Sequence, residues 1–523
     1  MSWKHSFAQI QLQRDESRPL TGGIAPVVDS DMFKSPQCLQ KPKSKSMEHF
    51  LSVESRARGA ATLKAGGAEL TEDIISLSTG RPSSEYFPFL NLSLELPKVP
   101  RVSESHLHQS TTHAIEKHGL PGSKSLDLAI SLNYGYSAGS EQLIRFVTEH
   151  VEAIHNPPYS NWHCSLTVGS TAALDAAFRM FCQRGDFILM EKFSYSGAIE
   201  AARPLGIQMA GIDMDDDGLS PTHLDNLLSE WDTAQRGARK PFLLYTIPTG
   251  HNPCGITQSL QRRREIYAVA EKHDLFIIED DPYYFMQFNG QQNAPLHATE
   301  DSEGLPIAIT EPTWDLLPSY LSLDVSGRVL RLDSTSKMLA PGLRCSWMTG
   351  NSEIISRLLY YHDVSTVSPS GLSQLVMHTL LNEVWGHEGF MTWLEYLCDE
   401  YLQRRDILVR ACATHLPSRI CSWHVPDGGM FLWIKVAWQQ HPSIADAAAG
   451  SPGHDEMLAI EDSIYQNAMK RGVMCCKGSA FCVNDQEKDM FFRATFATAS
   501  FQQMEEAIAR FGGAISAEFQ LMD

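Results

Sequence analysis

Short apolar runs alternate with amphipathic stretches through the middle of the chain. Each apolar run is bounded by turn-forming residues, and we predict strands over residues 164–168, 187–191, 243–248, 275–278 and 329–332. Apolar side chains at helical spacing predict helices between them, over residues 170–182 and 257–273. Strands that alternate with helices in this way indicate an α/β fold whose central sheet is mostly parallel.

The regions on either side of this alternation carry weaker patterns. Residues 1–45 are rich in Gln, Ser, Lys and Pro, and we expect a flexible N-terminal tail there. Helical spacing favours a helix over residues 47–65, and an alternating pattern predicts a strand over residues 491–496. The length of 523 residues suits two domains plus extensions.

Composition and charge exclude several classes of partner. The chain has 523 residues, of which 43% are hydrophobic and 20% charged, as in ordinary globular proteins. Its net charge of -19 argues against nucleic acid, because phosphate backbones are bound by basic surfaces. Neither a membrane span nor a signal peptide is indicated, and eleven scattered cysteines are typical of reduced thiols. We expect a cytoplasmic protein without a nucleic-acid or membrane partner.

One lysine stands among hydroxyl groups where the last predicted strand ends. The stretch reads Ser334-Thr335-Ser336-Lys337, and Arg344 follows a Pro-Gly turn. Burial and a nearby guanidinium would lower the pKa of the Lys337 ammonium, and a neutral amine can form a Schiff base with an aldehyde cofactor. Two hydroxyls and a guanidinium, from Ser334, Ser336 and Arg344, would then suit a phosphate group.

A second candidate anion site lies where the strand over residues 164–168 meets the next helix. The junction reads Gly169-Ser170-Thr171. The first N–H groups of a helix lack partners within it, and the helix dipole favours negative charge at that end. We predict that Ser170 and Thr171 bind a phosphate.

Carboxylates end another predicted strand. The apolar run over residues 275–278 leads directly into Glu279-Asp280-Asp281. In open α/β sheets, ligands bind outside the carboxyl ends of parallel strands, so these acids are expected beside a ligand. We do not expect a metal site, because His and Cys are missing at ligand spacing nearby.

Taken in order, these motifs resemble fold type I pyridoxal-phosphate (PLP) aminotransferases of class I/II. The family pattern at the Schiff-base lysine is Ser-x-Ser-Lys, followed by an arginine seven positions later. The resemblance is strongest to fungal aromatic aminotransferases and to kynurenine/2-aminoadipate aminotransferases, through the sequences YTIPTGHNP (245–253) and EDDPYYF (279–285). It implies a large PLP-binding domain with a mostly parallel sheet and a smaller α+β domain. The implied division is a flexible tail (1–45), an N-terminal segment contributing to the small domain and the pocket (46–130), the large domain (131–355) and the C-terminal small domain (356–523).

The resemblance also implies a catalytic role for the lysine and a set of PLP-binding residues: Ser170, Thr171, Tyr195, Asn252, Asp280, Tyr283, Ser334, Ser336, Lys337 and Arg344. Tyr195 would stack on the pyridine ring, and Asn252 and Tyr283 would bond its phenolic oxygen. Asp280 would keep the ring nitrogen protonated, and Asp281 is the competing candidate for that role.

For the substrate, the resemblance implies contacts with Gly80, Tyr134, Asn252 and Arg493. Arg493 would bind the α-carboxylate, since a guanidinium can bond both oxygens at once. Tyr134 lies on a loop that in the family crosses a dimer interface, so a homodimer is implied. The implied reaction is ping-pong transfer of an amino group from an amino acid, with aromatic donors the first choice, to a 2-oxo acid. Arg81 leaves 2-aminoadipate or glutamate open as donors.

Two other classes of protein share this chemistry. PLP-dependent C–S lyases and other eliminating enzymes use the same fold and lysine, and would release ammonia and an oxo acid. PLP-binding transcription regulators place such a domain after a DNA-binding module, but the first 60 residues are too short and polar for one, and the net charge opposes DNA.

Overall fold

A computed structural model of the chain describes residues 3–17, 20, 23–61, 80–97, 110–119, 126–288, 316–445, 453–484 and 487–521. Its strands, numbered in chain order, are β1 (Asn91–Pro97), β2 (Ser110–Glu116), β3 (Trp162–Thr167), β4 (Phe187–Glu191), β5 (Gln208–Ile212), β6 (Met214–Asp215), β7 (Gly218–Leu219), β8 (Leu243–Thr246), β9 (Phe276–Asp280), β10 (Val329–Ser334), β11 (Ser346–Asn351), β12 (Cys421–Trp423), β13 (Phe431–Val436), β14 (Cys476–Lys477) and β15 (Met490–Thr495). β1 and β2 form a hairpin, as do β6 and β7.

A seven-stranded sheet in the order β3-β11-β10-β9-β8-β4-β5 forms the centre of the protein. The strands from β10 to β5 run parallel, and β11 is antiparallel to both of its neighbours. This confirms the predicted α/β fold with a mostly parallel sheet. The principal helices that accompany it are Leu128–Ser131, Glu141–Ile154, Ser170–Phe181, Ser196–Ala202, Pro221–Ser229, Thr233–Arg236, Leu260–His273, Tyr320–Leu323 and Ser352–His362.

The sheet is buried on both faces, and alternate residues of each strand serve different cores. Ile277 and Val329 pack into one apolar cluster, whereas Ile278 and Leu332 pack into the cluster on the other face. Strands covered on both faces read as continuous apolar runs, which is why all five predicted strands could be placed from sequence.

A smaller antiparallel sheet, in the order β12-β13-β15-β14, lies in the C-terminal part of the chain. Three long helices, Gly386–His415, His454–Lys470 and Phe501–Glu518, contribute to its apolar core. This confirms the expected smaller α+β unit. The helix Gly371–His378 continues through a π-helical segment, Thr379–Trp385, into the helix Gly386–His415.

Residues 3–17 differ from the flexible tail predicted for residues 1–45. A helix, Trp3–Glu16, packs against the helices Glu141–Ile154 and Gly386–His415, with Phe7 only 4% exposed and stacked on the His387 ring at 5.0 Å between centroids. Arg14 Nε donates to Glu149 Oε2 at 2.9 Å. This helix was not predicted because only a few apolar residues at helical spacing occur in a polar stretch, and those few side chains hold the helix in place.

The replacement Phe7→Ala is expected to weaken this anchoring by about 3 kcal/mol, because it opens a cavity beneath the helix. Limited proteolysis followed by mass spectrometry should then find faster cleavage near residues 3–17. Leu12→Ala is the matched control on the same helix, since Leu12 is 65% exposed. Equal cleavage rates in the two variants would contradict the packed arrangement.

The helix expected over residues 47–65 is shorter in the structure. A 3-10 turn, Glu48–Phe50, is followed by a short helix, Val53–Ala57, because the Ser52 side chain caps a new helix there. Residues 62–65 lie outside the described ranges.

Within the described ranges, none of the helices has the length and apolarity that a bilayer crossing needs.

Candidate active site

Lys337 follows β10 at the edge of the large sheet where the parallel strands end. Its side chain is half-buried. Burial first, and then the positive charges of Arg493 and Arg344, lower the pKa of the Lys337 ammonium from its ordinary value. The structure therefore brings the lysine and both predicted arginines into one region, although they come from different parts of the chain.

Asp280 ends β9, directly beside β10, and is buried. Tyr245 donates its hydroxyl hydrogen to Asp280 Oδ2 at 2.8 Å, while Oδ1 has no hydrogen-bond partner among the described residues. Burial raises the pKa of the Asp280 carboxyl to about 7, and the Tyr245 hydrogen bond opposes that shift. A buried carboxylate oxygen with an open acceptor position suits a protonated ring nitrogen of a ligand.

The competing residue, Asp281, is committed to a different partner. Arg331 is fully buried and forms ion pairs with Glu279 at 3.0 Å, Asp281 at 3.1 Å and Asp333 at 2.8 Å. A buried guanidinium needs such counter-charges. Both acids keep one buried oxygen without a hydrogen-bond partner among the described residues. The ion pair of Asp281 with Arg331 distinguishes the two, and it favours Asp280 as the acid that faces a ligand.

Hydroxyl groups and a guanidinium surround the N-terminus of the helix Ser170–Phe181. Gly169 precedes this helix with φ +79°, and a Cβ there would collide with the Arg344 guanidinium. Arg344 Nη1 donates to Ser336 Oγ at 3.3 Å. The hydroxyls of Ser170, Ser346 and Ser334 form a chain, with oxygen separations of 3.4 and 3.5 Å. Thr171 lies in the same first turn and is exposed.

Arg493 reaches this region from β15 of the small sheet. Its Nη1 donates to Asn252 Oδ1 at 2.7 Å, and its Nη2 contacts Cys476 Sγ at 3.3 Å. The guanidinium carbon lies 4.4 Å from the Phe431 ring centroid and 4.6 Å from that of Phe481. Two rings and an amide therefore fix the plane of the guanidinium.

Tyr283 and Tyr195 complete the described surroundings. Tyr283 is buried and meets the Phe431 ring edge-on at 5.8 Å; burial, and then the nearby Asp280 carboxylate, raise the pKa of its hydroxyl. Tyr195 precedes the helix Ser196–Ala202, and its ring covers Gly197 so closely that a Cβ at Gly197 would collide with it.

Two predicted substrate residues are exposed in the described part of the chain. Gly80 has no atom of the described residues, its chain neighbours aside, within 4 Å of where its Cβ would be, and Arg81 Nη1 donates to the Ile24 carbonyl at 3.4 Å. Tyr134 is 58% exposed. The apolar run over residues 74–77, which is typical of a strand leading to Gly80, lies outside the described ranges.

Sequence reasoning missed several residues that the structure brings to the site: Tyr245, Ser346, Cys476 and Phe481. Tyr245 pairs with Ile278 of β9, so Asp280 is its diagonal neighbour on the same face of the sheet, and their contact could have been expected from the strand pairing. No local pattern indicates the other three, because their contacts are made between distant segments.

The sequence and the fold both match known proteins. Residues 113–511 match the model of the family aminotransferase class I and II. A relative from Arthroderma benhamiae, named aminotransferase swnA, is 41% identical, over 93% of this chain and 94% of its own length. An aromatic amino acid aminotransferase of Schizosaccharomyces pombe is 38% identical, over 91% of this chain and 99% of its own. The crystal structure of aminotransferase Aro8 from Candida albicans has a TM-score of 0.81 at 34% identity, covering 92% of this chain and 100% of that chain.

The geometry and these matches define a class of enzyme, the fold type I aminotransferases, whose cofactor is PLP. The chain belongs to the aminotransferase class I and II family. It is a PLP-dependent aminotransferase, and its substrates are amino acids and 2-oxo acids. The fold class, the enzyme class and the cofactor that the sequence resemblance implied are thereby confirmed.

Proposed function

We propose that this aminotransferase moves the α-amino group of an aromatic amino acid to a 2-oxo acid in two half-reactions, with Lys337 as the catalytic residue. The observation that carries the proposal is the convergence of Lys337, Arg344 and Arg493, whose two guanidinium charges add to burial in lowering the pKa of the lysine ammonium. Burial and neighbouring cations disfavour the ammonium form of Lys337, which suits a lysine that reacts with a carbonyl and carries protons.

The described residues fit PLP as follows. Asp280 Oδ1, which is buried and lacks a partner in the described ranges, would accept the hydrogen bond of the ring nitrogen. Tyr195 would stack on the ring, and Asn252 and Tyr283 would bond its phenolic oxygen. The phosphate would lie among Ser170, Thr171, Ser334, Ser336 and Arg344. When bound, PLP supplies an electron sink for the bonds at the substrate α-carbon.

The chain's own residues then carry the remaining steps. Lys337 Nζ would take the proton from the substrate α-carbon and return it on the cofactor side, as general base and acid. Arg493, held by Asn252 and two phenyl rings, would bind the α-carboxylate and so orient the α-carbon toward Lys337. A second oxo acid would run the sequence backwards, which is ping-pong transamination.

The aromatic preference is supported by the name of the Schizosaccharomyces pombe relative and by the rings of Phe431 and Phe481 beside Arg493. A donor panel with 2-oxoglutarate and phenylpyruvate as acceptors tests it. The proposal expects the highest kcat/KM for phenylalanine, tyrosine or tryptophan. A preference for 2-aminoadipate would replace the aromatic assignment, and a preference for kynurenine would support the kynurenine aminotransferase alternative. Ammonia with pyruvate in place of oxo-acid exchange would indicate a C–S lyase.

We also infer a homodimer, in which Tyr134 and Gly80 would meet the partner subunit's site rather than their own. Their exposure in the single chain supports this. The N-terminal segment (46–130), the large domain (131–355) and the C-terminal small domain (356–523) remain our division of the chain. All eleven cysteines are free thiols, which supports a reducing, cytoplasmic location.

The replacement Gly169→Ala is expected to weaken PLP binding by about tenfold or more, because the new Cβ must displace the Arg344 guanidinium and Gly169 has φ +79°. Equilibrium titration of cofactor-free protein with PLP measures the change. Gly342→Ala is the matched control, since no atom lies within 4 Å of a Cβ at Gly342. Equal PLP affinity in both variants would contradict the phosphate site.

A further inference from the structure

Cys476 and Arg493 face each other across two strands of the small sheet. β14 pairs with β15 in antiparallel register, and Cys476 is the residue directly opposite Arg493. Side chains of such cross-strand pairs lie on the same face within contact distance. Arg493 Nη2 accordingly approaches Cys476 Sγ at 3.3 Å. The contact is therefore built into the register of the sheet.

The thiol supplies a kind of contact that the other neighbours of Arg493 do not. Asn252 Oδ1 accepts from Nη1 at 2.7 Å, and the guanidinium carbon lies over the Phe431 and Phe481 rings. Nη2 makes its contact with Cys476. A thiol is a weak hydrogen-bond acceptor, so it restrains the guanidinium without placing a carboxylate beside it.

The positive charge of Arg493 must stay available if this residue is to bind a substrate carboxylate. Among the described residues, Arg493 forms no ion pair with a carboxylate side chain. A glutamate or aspartate in place of Cys476 would compete with any incoming carboxylate for the guanidinium. The neighbouring thiol, Cys475, points into the core, where burial raises its pKa to about 12, so only Cys476 of this pair meets the arginine.

We propose that Cys476 is a positioning residue, which orients the Arg493 guanidinium for the substrate α-carboxylate while leaving its charge free. The inference rests on the proposed role of Arg493. Cys476 acts only through Arg493, so it should affect the affinity for amino acids and oxo acids, but neither the proton transfers of Lys337 nor the binding of PLP.

Steady-state kinetics of the PLP-loaded enzyme test this proposal with Cys476→Ala and Cys476→Ser. The alanine variant should raise KM for the amino donor about five- to tenfold with kcat nearly unchanged, because one contact to a charged group is lost. The serine variant should recover most of the affinity, since its hydroxyl can also accept a hydrogen bond. Cys482→Ala is the matched control, because the Cys482 thiol contacts the Gly478 carbonyl instead.

Unchanged KM in Cys476→Ala, or failure of serine to recover it, would overturn the proposal. Loss of bound PLP in Cys476→Ala would also overturn it, by showing a structural role. The variant Arg493→Ala distinguishes a wrong role for Cys476 from a wrong role for Arg493. If Arg493→Ala leaves KM unchanged, the proposed role of Arg493 itself is wrong. If Arg493→Ala raises KM, adding Cys476→Ala should cause no further rise, and an additive rise would refute coupling of the two residues.

Discussion

Replacing Lys337 with alanine is expected to reduce transamination by at least about a thousandfold, because the same amine holds the cofactor and carries the α-proton. Burial, Arg493 and Arg344 lower the pKa of this ammonium, which suits it to both tasks. Oxo-acid exchange by the purified variant measures the loss. In the wild type, borohydride should fix PLP on the peptide that contains residue 337, and in Lys337→Ala it should fix none there.

Lys192→Ala provides the control for this experiment. Lys192 is also partly buried, but its ammonium lies 3.6 Å from Glu487 and 5.4 Å from the Phe193 ring centroid, away from the cluster around Lys337. This variant should retain transamination and borohydride labelling. If Lys337→Ala retains turnover under conditions where Lys192→Ala is fully active, Lys337 is not the catalytic residue and the proposed mechanism is wrong.

Much of the framework was accessible from sequence because its signals are local. β9 and β10 are apolar runs that end in Asp280 and Ser334, so their carboxyl ends could be placed at one sheet edge from the pattern alone. Gly169 before a helix indicated an anion site for the same reason, since the conformation and the helix end follow from neighbouring residues.

Other contacts could not be predicted because they join distant segments. Asn252 and Arg493 are 241 positions apart and meet only when the small sheet packs beside the large one. Cys476 meets Arg493 through sheet register, and register depends on the whole domain. The N-terminal helix was missed because only Phe7 and a few other apolar residues mark it in a polar segment.

Asp280→Asn is expected to have two effects of opposite kind. Transamination should fall by about a hundredfold or more, because a neutral amide cannot stabilise a protonated ring nitrogen as a carboxylate does. The cofactor-free variant, however, should be more stable than the wild type near neutral pH. Burial raises the Asp280 pKa from 3.8 to about 7, so the carboxylate is costly to ionise in the folded protein.

The sign follows from proton binding. Between pH 3.8 and about 7 the unfolded chain has lost the Asp280 proton while the folded chain retains it, so stability of the wild type falls as pH rises through this window. The asparagine side chain does not titrate, so the variant does not lose stability in this way as pH rises. The Tm advantage of cofactor-free Asp280→Asn should therefore be largest above pH 7 and shrink toward pH 4, as measured by thermal unfolding across this range.

Asp225→Asn gives the opposite sign and serves as the control. The Lys272 and His273 hydrogen bonds lower the Asp225 pKa, so removing this carboxylate should cost stability at neutral pH, and the cost should disappear in acid. A Tm for cofactor-free Asp280→Asn at or below the wild-type value at every pH would contradict the buried carboxylate with one unpartnered oxygen. If Asp280→Asn has the higher Tm without cofactor and PLP abolishes the difference, then the Asp280 carboxylate destabilises the cofactor-free protein and PLP supplies its missing hydrogen-bond partner.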